Sequence, residues 1–107
     1  MPTDPPGFEI RDNRAASRFE IDLGDGSFAI AEYRLHPDHI TFTHTQVPPS
    51  HGGQGIGTRL IRHALASARE RGLKVIPVCP FFARYIREHE EEQDLVDPSY
   101  RRKLGIA

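Results

Sequence analysis

The first half of the chain alternates between apolar and polar residues, and the second half repeats at helical spacing. Phe19, Ile21 and Leu23 alternate over residues 18–23, and similar runs cover 8–11, 27–35 and 40–47, the last with Ile40, Phe42 and His44 on one face. Asp25-Gly26 is a favoured two-residue hairpin turn, and His36-Pro37-Asp38-His39 places Pro where a type I turn needs a fixed φ. Four short strands joined by tight turns predict an antiparallel meander.

The pattern changes at Val47. Pro48-Pro49 ends the strand, and four glycines follow within the six positions 52–57. Ile56, Leu60, Ile61, Ala64, Leu65 and Ala68 then share one helix face, and Gly72 stands where a C-terminal cap belongs. Residues 73–78 predict a short buried strand whose pairing is incomplete at Pro77, which has no amide to donate. Cys79 caps a second helix with Pro80 at its first position and Phe82, Tyr85 and Ile86 turned inward. From Glu90 onward the acidic run and Arg101-Arg102-Lys103 predict a partly ordered tail, with Glu90-Glu91-Glu92 as a solvated helix end. The fold class expected is α+β: a compact mixed sheet of about four antiparallel strands, then loop, helix, strand and helix, with one right-handed parallel crossover.

Composition narrows the setting. The 107 residues suit one domain over 8–107, behind a disordered tail at 1–7. No apolar stretch approaches the roughly 18 residues of a bilayer span. The first residues lack the basic-then-apolar order of a secretory signal. A cytoplasmic monomer with no membrane partner is therefore expected. One cysteine excludes an internal disulfide and the Cys-rich zinc sites, and His36, His39 and His44 lack a recognised ligand spacing, so no metal is expected. Net charge is −1, with four basic and eight acidic residues up to Thr58 and ten basic and seven acidic after it. That imbalance favours an anionic ligand near the second half and is too small for a nucleic-acid surface.

The chemistry centres on the glycine loop. A strand that feeds a helix through glycines leaves several amides without intrahelical acceptors, and those amides, with the helix dipole, attract anions. A Walker A loop is excluded because Gly57-Thr58 has no lysine, and a Rossmann site because no acid stands near residues 77–79. A plain flexible turn remains the alternative. Cys79 is the second signal: at a helix N-cap the amide dipoles favour an anion, and the strand before it opens toward the loop. The alternative there is a small buried residue chosen for packing.

Residues 47–57 resemble motif A of the GCN5-related N-acetyltransferase superfamily, in which a Gln/Arg-x-x-Gly-x-Gly/Ala loop holds the pyrophosphate of acetyl-CoA. Gly55 and Gly57 match the two small positions, and Gly52 stands where the motif has Arg or Gln. Glu32-Tyr33-Arg34-Leu35, Thr43-His44-Thr45-Gln46-Val47-Pro48-Pro49 and Leu73-Lys74-Val75-Ile76-Pro77-Val78-Cys79-Pro80-Phe81 extend the likeness to the small stand-alone branch of that superfamily.

The resemblance implies splayed fourth and fifth strands with acetyl-CoA between them, and transfer of acetyl to an amine of unknown identity on a protein, peptide or polyamine. It places Thr45, Gln46, Val47, Gly52, Gly53, Gln54, Gly55, Ile56, Gly57 and Thr58 against the cofactor. It makes Cys79 a catalytic candidate, as proton donor to the departing thiolate or as nucleophile. His44 becomes a candidate base, imidazole being the side chain that exchanges protons near neutral pH, and Tyr85 a candidate acid. Each has a packing alternative. The helices that wall the acceptor site in larger members have no room in residues 12–17, which implies an open groove. A non-catalytic CoA-binding or protein-interaction module of the same fold is the rival reading.

Overall fold

The computed structural model describes residues 9–106, so the tail expected at 1–7 lies outside the described residues, as does Phe8. Five strands form one sheet in the order β1 (Ile10–Asn13), β2 (Arg18–Asp22), β3 (Phe28–Leu35), β4 (His39–Gln46) and β5 (Lys74–Pro77). The first four pair antiparallel, and β4 with β5 is the parallel pair, joined through helix α1 (Ile56–Glu70). Helix α2 (Pro80–Glu88) follows β5. Between β1 and β2 there is a single 3-10 turn, Arg14–Ala16.

The buried face of the sheet follows from the register. Phe19 pairs with Ala31, Ile21 with Ala29 and Tyr33 with Phe42, so these side chains share one face. Ala29 and Ala31 are fully buried and small, which lets α1 approach over β3 with Leu60, Ile61, Ala64, Leu65 and Ala68 inward. The α1 stripe is the one that the helical spacing predicts. Its end is a Schellman turn: Gly72 at φ +67 donates to the Arg69 carbonyl and Leu73 to that of Ala68. Phe82 of α2 stacks on Phe42 with ring centroids 4.2 Å apart, so α2 covers the same face beside α1.

Residues after Glu90 are better ordered than a partly ordered tail. Leu95, Val96 and Leu104 are buried, and Val96 forms a parallel bridge with Val75. Asp97 donates its amide to the Val75 carbonyl, and Arg69 holds Glu92 and Asp94. The acidic run is therefore part of a strap laid along the edge of β5.

On the other face Glu20 is a nearly buried carboxylate, held by Arg11 at 2.6 Å, Arg18 at 2.8 Å and Asn13 at 3.3 Å. Arg11 first, then Arg18 and Asn13, lower its pKa to about 2 against the opposing effect of burial. A carboxyl whose pKa is lower folded than unfolded stabilises the fold above its unfolded value and loses that contribution as pH falls through the folded value. Stability is thus expected to drop as the pH falls from about 4.5 to about 2. Glu20→Gln is expected to lower stability by about 1–2 kcal/mol at neutral pH and to flatten the acid limb, which urea unfolding across that range checks.

Candidate active site

The site is built where β4 and β5 part. Their pairing runs from His39 and Lys74 to Phe42 and Pro77, and the Cys79 amide makes the last link, 2.8 Å to the Phe42 carbonyl. Pro77 has no amide to extend the ladder. β4 continues to Gln46 without a β5 partner, leaving a gap on that side.

A bulge decides what faces the gap. Thr43 is the extra residue between the Phe42–Tyr33 pair and the His44–Glu32 pair, and its hydroxyl donates to the Glu32 carbonyl. One added residue reverses the alternation. Thr45 therefore pairs with Ala31 and joins the face of Phe42, while His44 joins the row of Glu32 and Arg18 and is exposed. This corrects the expectation that Ile40, Phe42 and His44 share a face. Thr45 Oγ1 lies 3.3 Å from Cys79 Sγ.

Cys79 is the N-cap of α2, with extended backbone and Pro80 in the first turn, as the Cys-Pro pair predicts. It is 3 % exposed. Its main chain is fully used, since its carbonyl accepts from Ala83 while its amide is held by Phe42.

The glycine loop leads from a 3-10 turn, Pro49–His51, into α1. Gly53 and Gly55 have φ of +80° and +76°, a region open to glycine, and these bends turn the chain into the helix. The first helical bond is from the Arg59 amide to the Gly55 carbonyl, so the amides of Ile56, Gly57 and Thr58 precede the ladder, and no side chain caps them. The amide of Gly52 is different: it closes the 3-10 turn on the Pro49 carbonyl at 3.1 Å. Gly52 is thus not among the available donors expected over 52–57. Gly57 is buried because Phe81 and Val47 close on it; a Cβ there would lie 3.3 Å from Phe81 Cζ and 3.4 Å from Val47 Cγ2.

Thr58, at this helix start, opens onto a groove of about 740 Å³ between α1 and α2, lined by Phe81 and Tyr85, by Arg62, Arg84 and His89, and by the carboxylates Glu88, Glu91 and Glu92. Tyr85 stacks on His89 at 3.8 Å, and its phenol pKa is raised, chiefly by burial. Tyr85 is therefore a groove wall as well as a packing residue. Phe81 and Val78 are half exposed beside Cys79. Sequence reasoning missed both, although two apolar residues flanking Cys79-Pro80 outside the helical stripe were the available signal. Among the described residues no three of His, Cys, Asp and Glu converge as a metal site. No helix among them is long and apolar enough to cross a membrane.

A mixed sheet whose parallel strands part above a glycine-rich helix start is GNAT architecture. The chain belongs to the GCN5-related N-acetyltransferase family, whose model matches residues 18–95. It is similar to the solution structure of a GCN5-like candidate N-acetyltransferase from Staphylococcus aureus, with a TM-score of 0.69 and 29% identity, covering 87% of this chain and 91% of that one. It is also 38% identical over 64 residues to streptothricin acetyltransferase of Streptomyces lavendulae. That match covers 60% of this chain and 34% of the relative, so the chain spans about a third of that protein.

Proposed function

We propose that this chain is an acetyl-CoA-dependent N-acetyltransferase acting on an amine. The observation that carries the reading is the uncapped start of α1: three amides without helical acceptors stand behind two positive-φ glycines and beside a groove lined in part by Phe81 and Tyr85. That is the chemistry a diphosphate at the head of a long flexible arm requires. Gly53, Gln54, Gly55, Ile56, Gly57 and Thr58 hold the diphosphate, and Phe81 with Val47 bounds the arm. Gly52 spends its amide on the turn rather than on the diphosphate.

Transfer is direct. The thioester enters the gap beside Thr45 and Cys79, and the amine approaches from the face of His44, which accepts its proton through solvent. Nitrogen adds to the carbonyl carbon, those amides of Thr45, Gln46 and Val47 that point into the gap at the end of β4 stabilise the oxyanion, and the C–S bond breaks. Cys79 gives a proton to the departing thiolate and regains one through Thr45. Tyr85, whose phenol stays protonated at neutral pH, lines the groove as the alternative donor of that one proton.

A thermal-shift titration with CoA and acetyl-CoA tests the reading. A ligand at about a hundred times its Kd adds about 2.7 kcal/mol, which raises the midpoint of a domain this size by roughly 10 °C. No shift with either would overturn the reading. A shift without thiol release on any of a mixed set of amines would leave a CoA-binding module.

A further inference from the structure

The glycine loop is tied to a part of the molecule far from it in sequence. His51, the last residue of the turn before the loop, directs Nε2 to Asp25 Oδ2 at 2.9 Å, across 26 positions. The His51 side chain is 15% exposed, so it lies against the protein, while Asp25 stands at the tip of the β2–β3 hairpin.

That tip is shaped to present the carboxylate. Gly24 donates its amide to Asp22 Oδ1, and Ser27 donates both amide and hydroxyl to Asp25 Oδ1. With Oδ1 used by Ser27, Oδ2 is directed at His51. Bonds from Ser27 first, and from His51 second, hold the Asp25 carboxyl below the usual carboxylate range. The loop beyond has little to fix it: Gly52, Gly53, Gln54 and Gly55 are all exposed, and neither the 3-10 turn nor α1 has a side-chain cap.

We propose that the Asp25–His51 pair is a clasp that holds the glycine loop in its ligand-binding shape, making both of them positioning residues for the diphosphate. The inference rests on the ligand reading above. Four exposed residues, two of them in positive-φ conformations, have many alternative shapes when their entry point is free. Anchoring that entry to the β2–β3 hairpin removes part of the ordering cost from the binding step, so affinity is gained without any contact to the ligand.

CoA affinity, measured by calorimetry on the wild type, Asp25→Ala, His51→Ala and the double variant, tests it. Each single change is expected to weaken CoA by about threefold, the scale of an exposed ion pair, and the double variant to be no weaker than the weaker single one. In turnover the KM for acetyl-CoA rises by about the same factor while kcat stays within about twofold. In the unliganded Asp25→Ala protein the amides of residues 53–57 exchange with deuterium faster than in the wild type. Unchanged affinity with unchanged exchange would overturn the clasp, as would losses that simply add. Wild-type protein that bound no CoA would overturn the ligand reading instead, and exchange rates at the loop would still decide whether the clasp holds it.

Discussion

Cys79→Ala is expected to lower acetyl transfer by about a hundredfold, the scale of one positioned proton donor, while CoA affinity stays within about twofold. The separation follows from how Cys79 is held. Its amide and carbonyl are bonded to Phe42 and Ala83 through the main chain, so alanine keeps the strand end and the helix start. What it removes is the sulfur next to Thr45 Oγ1, at the head of the gap. Cys79→Ser restores part of the rate if the group works as a donor, because a hydroxyl can still exchange a proton with Thr45. A nucleophilic role predicts instead an acetylated protein by mass spectrometry and no recovery with serine. Thiol release on mixed amines makes the measurement, and undiminished release by the alanine variant would remove Cys79 from the mechanism.

Gly55→Val is expected to weaken CoA binding by about tenfold or more with a smaller effect on the fold. Gly55 is the N-cap of α1 at φ +76°, and a Cβ there meets nothing within 4 Å, so the change acts through the backbone alone. An L-residue in that region costs roughly 1–2 kcal/mol, and a β-branched one more. Relief of that strain rotates the peptide that aims the amides of Ile56 and Gly57. Gly105→Val is the control, because Gly105 follows the short C-terminal helix α3 (Arg101–Leu104) with φ +82° and equally open space. It carries the same strain and is expected to lower the melting midpoint while leaving CoA affinity intact. Calorimetric titration of the two variants side by side checks the pair.

Much of this arrangement is local and can be read along the chain. Gly55 and Gly57 before an amphipathic stripe mark the helix start, Pro77 marks the end of β4–β5 pairing, and Cys79-Pro80 marks the next helix. Each is a property of a few adjacent residues, set by φ, by a missing amide or by a cap. His44 shows where that reading fails. Counting by twos from Ile40 places it with Phe42, yet the extra residue Thr43 reverses the parity and gives Thr45 the place beside Cys79. The strand residues Thr41-Phe42-Thr43-His44-Thr45 contain no glycine or proline to announce a bulge.

The sequence by itself determined the order of elements from β1 to α2, the buried stripe of α1, the glycine bends and the position of Cys79 at a helix N-cap. All of these depend on dihedral preferences and side-chain periods within one turn or one strand, so neighbours in sequence suffice. The tertiary structure alone decided that Thr45 meets Cys79, that Asp25 reaches His51, that Tyr85 and Phe81 line a groove with Thr58, and that the strap after Glu90 packs on β5. Those contacts join residues 20 or more positions apart, and their geometry is fixed by strand register and chain closure, which no single segment encodes.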